Sequence, residues 1–210
     1  MIRDPMYTSL AATSETLRQL LLEAMTTDVG PSGLAAFFTG TTTVSLETPQ
    51  EMVAAGRQGL SVWLYRIARD EFRLNEPPQV RTLPNGVTQL VPPPLPVRLH
   101  YLLTPLAPGI PDTEQRILGR ALQLFHTHPV IAGAFLRAEL AGTDAEIHIH
   151  LEALNIEEIT RVWEALEGSY QLAVSYEVTL AHIDSGADPL AAPLVESVRS
   201  DEALIVGGES

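Results

Sequence analysis

The chain contains no cysteine and no lysine among its 210 residues. Without cysteine there is no disulfide framework. Without lysine, P-loop phosphate binding, Schiff-base chemistry and Ser-Lys catalysis are excluded. No apolar stretch approaches the roughly 18 residues of a membrane span, so no span is expected. The N-terminal MIRDPMYTSL lacks the apolar core of a signal peptide, which leads to the expectation of a cytoplasmic chain. Positive charge is scarce as well: 13 bases, all arginine, face 26 acids, for a formal charge of -13. Such a surface repels phosphate backbones, and nucleic acid is not an expected partner. Arginine suits partly desolvated ion pairs better than lysine does, because its fork donates several hydrogen bonds and is more weakly hydrated. What remains is ordinary globular composition, 45% hydrophobic and 19% charged, in a chain long enough for one well-buried core.

Asp4 and Pro5 read as a helix N-cap followed by proline at the first helical position. Leu10, Leu17, Leu20, Leu21, Ala24 and Met25 continue the apolar stripe of a helix from Pro5 to Thr26. Turn residues follow from Asp28 to Gly33, and the β-branched Thr42 to Glu47 predicts a short strand. In LSVWLYRIAR, after Gly59, Val62, Leu64 and Ala68 share one face while Trp63, Tyr65 and Ile67 share the other. A strand apolar on both faces belongs in mid-sheet. Val80 to Leu83 and Val87 to Leu90 flank Pro84-Asn85-Gly86 and predict a projecting hairpin, since Asn and Gly tolerate the positive φ of a tight turn.

The next strand, Val97 to Thr104, alternates Val97, Leu99, Tyr101 and Leu103 against Arg98, His100, Leu102 and Thr104. Pro92 to Pro96 is expected as an extended, polyproline-like approach without donors, and Pro105 as the strand's end. Asp112 with Gln115 resembles a capping box that opens a helix through Ile117, Leu118, Ala121, Leu122 and Phe125, stopped by Pro129. Asn155 with Glu158 predicts a shorter helix through Ile159, Val162, Trp163 and Leu166, between strands at Ala145 to Leu151 and Gln171 to Ile183. The whole is an α/β chain of the α+β type: a mixed, mainly antiparallel sheet with flanking helices and a projecting β-hairpin. A single domain over 1–185 is expected, followed by a C-terminal arm or tail over 186–210.

Four histidines form the most metal-like pattern: His126 and His128, and His148 and His150 within EIHIHLE. On a strand, Glu146, His148, His150 and Glu152 share one face, where ligands can converge. The competing reading is a merely amphipathic strand whose other face is Ile147, Ile149 and Leu151, with His126 and His128 favoured by a helix C-terminus. No HExxH motif supports the metal reading. Ser61 in GLSVW does not complete G-x-S-x-G. Asp70-Glu71 and Glu157-Glu158 read as solvated charges at element ends. Trp63, Tyr65 and Trp163 read as a ligand cage or as core packing, and their positions within strand and helix patterns favour the core. Arg66, Arg69 and Arg73 read as an ion-pair row between subunits or as a solvated strand end.

Four segments occur in a recognisable order: GLSVWLYRIARDEFRLN from Gly59, PPPLPVRLHYLLTP from Pro92, ILGRALQLFHTHPVI from Ile117, and LNIEEITRVWEALEGSYQLAVSYEV from Leu154. In combination they resemble the N-terminal domain of the cap, or tail-terminator, proteins of extracellular contractile injection systems, which are phage-tail-like particles. The likeness covers about residues 5–185. The resemblance implies a tail-terminator-like twisted sheet and a structural, non-enzymatic role without a cofactor. It also implies a C6 homo-hexameric ring that ends tube and sheath polymerisation at the end distal to the baseplate, with sheath and inner-tube proteins as partners. The particle would be released or membrane-associated. An adaptor or baseplate-type component of the same particle and a histidine-dependent metal enzyme are the alternatives. Under the resemblance Trp63, Tyr65, Leu99, Tyr101, Trp163 and Tyr176 are core. The segment from Leu74 to Leu95, with Asn85 and Gly86 at its turn, protrudes to contact a neighbouring subunit or the tube, and Arg66, Arg69 and Arg73 are interface candidates. Longer family members carry a further C-terminal region, so this chain looks like a short form.

Overall fold

The alternating run LPVRLHYLLTPL forms a 12-residue strand, β5 (Leu95–Leu106), around which everything else is arranged. The computed structural model describes residues 8–73, 77–83, 85–91, 95–183 and 190–191. On one side β5 pairs antiparallel with β2 (Gly59–Arg69), and on the other with β8 (Val174–Ile183). Beyond β2 lies β1 (Thr43–Ser45), and beyond β8 lie β7 (Glu146–Glu152) and β6 (Val130–Ala132). The order is β1-β2-β5-β8-β7-β6, with only β1 and β2 parallel, which is the mixed, mainly antiparallel sheet expected.

Between β2 and β5 the chain makes the predicted hairpin, β3 (Gln79–Thr82) and β4 (Thr88–Val91), to which β9 (Leu190–Ala191) adds as a third strand. At its turn Gly86 adopts φ +80° and donates to the Leu83 carbonyl at 2.9 Å, while the Asn85 Oδ1 accepts from the Val87 N–H at 3.1 Å. The division expected between 185 and 186 lies outside the described residues, as do Asp4, Pro5 and Pro92 to Pro94.

Two helices, α1 (Ser9–Thr26) and α3 (Pro111–Thr127), cover one face of the sheet. Leu17, Leu21, Met25, Ile117, Ala121 and Phe125 pack there with Val62, Val97, Leu99, Tyr101, Leu103 and Val178. The stripe of α1 also buries Ser9, Thr13, Ser14 and Thr16, which looks costly. Thr13, Ser14 and Thr16 return their hydroxyls to carbonyls four residues back, so those groups enter the core already satisfied. Ser14 Oγ also meets the phenol of Tyr101 at 2.7 Å, and Thr16 Oγ1 accepts the Arg137 N–H at 3.1 Å. Two further helices, α2 (Pro49–Ala54) and α4 (Ile156–Ala165), complete the described α-helices; α4 packs Ile159 and Trp163 on Leu102, on the opposite face.

Several details differ from the sequence reading, each for a local reason. Pro105 does not end β5 but pairs opposite Leu60; β8 begins only opposite Leu103, so the last residues of β5 have a free side where a missing N–H is harmless. Pro96 is inside the strand too, at a register shift against β8, and its carbonyl accepts the Asp70 N–H at 3.0 Å. Asp112 is not a cap: Pro111 takes the first position of α3, and Asp112 pairs with Arg116 at 2.8 Å. Asn155 and Glu158, by contrast, make the full reciprocal capping box. Sequence reasoning did not place α2 or β6, although Thr48-Pro49-Gln50-Glu51 is a capping box of the same kind.

Gly59 is where the parallel edge is fixed. Its φ is +122°, and a β-carbon there would come within 1.9 Å of the Thr43 carbonyl oxygen. Gly59→Ala is expected to destabilise the chain by about 2 kcal/mol or more in urea unfolding, through loss of the β1 pairing. Burial pushes the Tyr101 phenol up to about 12, against an opposing hydrogen bond from Ser14, and burial does the same to Tyr176. The folded chain thus holds these protons more tightly than the unfolded chain, whose tyrosines ionise near about 10. Their stabilisation is intact below that pH and is lost as pH rises toward 12. Denaturation midpoints are expected to fall across this window, less so in Tyr101→Phe.

Candidate functional site

The second face of the sheet is only partly covered, and its chemistry changes along the strands. Next to α4 it is apolar: Leu102, Ile159 and Trp163 are buried, with Trp63, Tyr65, Val162 and Leu166 half-buried around them. Toward the other end of β5 it becomes polar, because His100 and Arg98 follow Leu102 on this face. A β-bulge makes the junction. Leu64 pairs with Tyr101 and Arg66 with His100, so Tyr65 is the extra residue and its side chain stays on the α4 face. The same bulge reverses the alternation beyond it: Ile67 pairs with Leu99 and Ala68 with Arg98, opposite to the simple period-two reading.

Around the bulge the carboxylate of Glu152 collects hydrogen bonds. Its Oε2 accepts from Ser175 Oγ at 2.6 Å and from the Tyr65 phenol at 3.3 Å, and its Oε1 is 3.0 Å from His100 Nδ1. Burial, against an opposing hydrogen bond from Ser175 and with help from the Glu152 charge, pushes the Tyr65 phenol up, so it stays a donor. The register then runs a row across the sheet: Arg66, His100, Glu177, His150. Glu177 accepts from Arg98 at 3.3 Å, and the Arg98 Nε lies 3.6 Å from Asp70. Phe72 stands 5.6 Å from the Arg98 guanidinium.

Ligand-type atoms of His100, Glu152 and Glu177 lie within 4.8 Å of one another, close enough to converge on a cation. Each carboxylate already has protein partners, three for Glu152 and an arginine for Glu177. The geometry is that of a compensated hydrogen-bond network. It also lacks the order that activates a serine, because the carboxylate sits between Ser175 and His100 rather than behind the histidine. Ser61 donates to the Glu47 carbonyl at 2.6 Å and is buried.

The histidine set does not assemble as one site among the described residues. His126 and His128 close α3, with the His128 ring tilted against Phe135 at 5.1 Å, whereas His148 pairs with Glu146 at 3.3 Å on β7. His100, which the spacing of H-x-H pairs passes over, is the histidine in the network; its alternation with Leu102 on β5 is the signal that places it there. Of the residues read as core, Leu99, Tyr101, Trp163 and Tyr176 are buried, while Trp63 and Tyr65 are half-buried beside α4. Trp63 and Tyr65 lie 6.0 Å apart, packed against the α4 cluster. Arg66 and Arg69 are exposed, Arg73 is half-buried, and Asn85 and Gly86 are exposed at the hairpin turn.

Comparison with known proteins gives this fold its family. The model of the Pvc16 N-terminal domain matches residues 12–197, and the chain belongs to that family. Among solved structures it is similar to the sheath/tube terminator of an extracellular contractile injection system, PVC, in its extended state, with a TM-score of 0.58 and 14% identity. That match covers 94% of this chain and 65% of the other. It is also similar to the tube-terminating cap of the anti-feeding prophage, with a TM-score of 0.57 and 16% identity over 91% of this chain and 59% of that one. The chain thus spans about three-fifths of the length of the structures it matches. No curated protein matches the sequence. Among the described residues no helix is long and apolar enough to cross a membrane.

Removing Glu152 takes away the acceptor shared by His100, Ser175 and Tyr65, leaving the last two only their mutual hydrogen bond at 3.1 Å. Glu152→Ala is expected to cost about 1–3 kcal/mol in urea unfolding, and Glu152→Gln less. Equal midpoints for Glu152→Ala and the parent would show that the network carries no stability.

Proposed function

We propose that this chain is a structural terminator of a contractile injection particle, forming a six-fold ring that ends tube and sheath polymerisation at the end distal to the baseplate. The observation that carries the reading is the family match over residues 12–197. The likeness of fold to a sheath/tube terminator and to a tube-terminating cap supports it. A terminator must fit the end of an existing polymer, which calls for one heterologous contact repeated by rotation rather than a two-fold pairing. In this reading sheath and inner-tube proteins are the partners, and the chain acts by fit rather than by catalysis. The hairpin turn at Asn85 and Gly86, with Arg66, Arg69 and Arg73, contributes contacts to neighbours.

A deletion strain distinguishes this role from that of a baseplate or adaptor component. Loss of a terminator is expected to give tubes of uncontrolled length in electron micrographs, restored to a fixed length by the gene in trans. A strain that makes no tubes at all would sink the proposal and favour an initiating component.

A further inference from the structure

A head-to-tail ring needs a projection on one side of each copy and a recess for it on the other. Phe72, in the short turn Glu71–Arg73 that follows β2, is 90% exposed. It is nevertheless held in place. Its N–H donates to Asp70 Oδ1 at 3.2 Å, the Asp70 N–H donates to the Pro96 carbonyl at 3.0 Å, and the ring stands beside Arg98, itself held between Asp70 and Glu177. A fixed aromatic loses little freedom when a partner covers it.

The recess lies between the C-terminal ends of α1 and α3 and the turn after β6. It has a volume of about 210 Å³, with Leu20, Leu124, Phe125 and Ile131 in its lining and the mutually tilted rings of His128 and Phe135 beside them. That is smaller than the roughly 300–1,000 Å³ of a small-molecule pocket, and it suits one aromatic side chain. Its rim carries Arg120, which donates to the Ala24 carbonyl and to Gln123 and has no carboxylate partner among the described residues. Glu71, exposed beside Phe72, supplies the opposite charge.

The register carries one row across the sheet through Ala68, Arg98, Thr179, His148 and Val130. Phe72, beside Arg98 on the α4 face, and the recess, on the face covered by α1 and α3 beside β6, therefore lie on opposite faces of the sheet, three inter-strand steps of ~4.8 Å apart. We propose that Phe72 of each copy seats in the recess of its neighbour, with Glu71 meeting Arg120, and that six such contacts close the ring. This rests on the ring reading given above.

The cysteine-free sequence makes the test direct. Phe72→Cys and Phe135→Cys are combined in the full chain, and both the purified protein and particles carrying it are treated with a short bismaleimide. A ladder of adducts from dimer to hexamer is expected, while an equal mixture of the two single variants gives dimers and nothing larger. A ring visible at the particle end without these adducts overturns the contact. Phe72→Cys linking to itself indicates a two-fold pairing and overturns it as well. If no ring is found in the parent protein or on its particles, the underlying reading fails and the contact with it. Phe72→Ala is expected to leave the unfolding midpoint unchanged while weakening ring assembly at least tenfold in native mass spectrometry.

Discussion

The structure depends on one requirement: β5 must be covered on both faces and, as far as Leu103, paired on both edges. Its residues from Leu99 onward are buried on alternating sides, so neither face of the strand is free to meet water. That forces α1 and α3 onto one side and recruits α4 to the other. It also explains why the second face is apolar only beside Leu102. Where the helical cover stops, the sheet can remain dry only by pairing its polar groups with each other, and Glu152, Ser175, Tyr65 and His100 do this.

The Tyr65 bulge follows from the same requirement. Without the extra residue, the alternation of β2 would place Ile67 on the face where β5 presents Arg98 and His100. With it, Ile67 falls opposite Leu99 while the Tyr65 hydroxyl reaches Glu152 and Ser175 across two strands. A single inserted residue thus lets one strand serve an aliphatic core at one end and a charged surface at the other.

Much of this was legible in the sequence because it is local or periodic. The faces of β5, the Asn155–Glu158 box and the Asn85-Gly86 turn are set by residues within a few positions of each other. The family resemblance carried by segments spread from Gly59 to Val178 is matched by the family model. What the sequence hid is non-local. A bulge shows only against its partner strand, so the period-two pattern alone puts Ile67 on the wrong face. Pro105 reads as a strand end until it is seen that β8 starts too late to need its N–H. The histidines of the H-x-H pairs are conspicuous in the chain, yet the one that meets two carboxylates is His100, which only strand order brings beside Glu177 and Glu152.

The connectivity of the small sheet has a mechanical consequence. Its three strands are joined in sequence to the three central strands of the main sheet: β2 leads into β3, β4 into β5, and β8 into β9. Those three are neighbours, held by long antiparallel ladders. A load applied to the small sheet along the strand direction is therefore divided among three adjacent strands. Ladder bonds to β1 and β7 then resist it in shear, many at once, instead of opening one after another from an end. A load on the small sheet thus enters the main sheet through β2, β5 and β8, and the edge strand β6, which neighbours none of the three, lies outside its path.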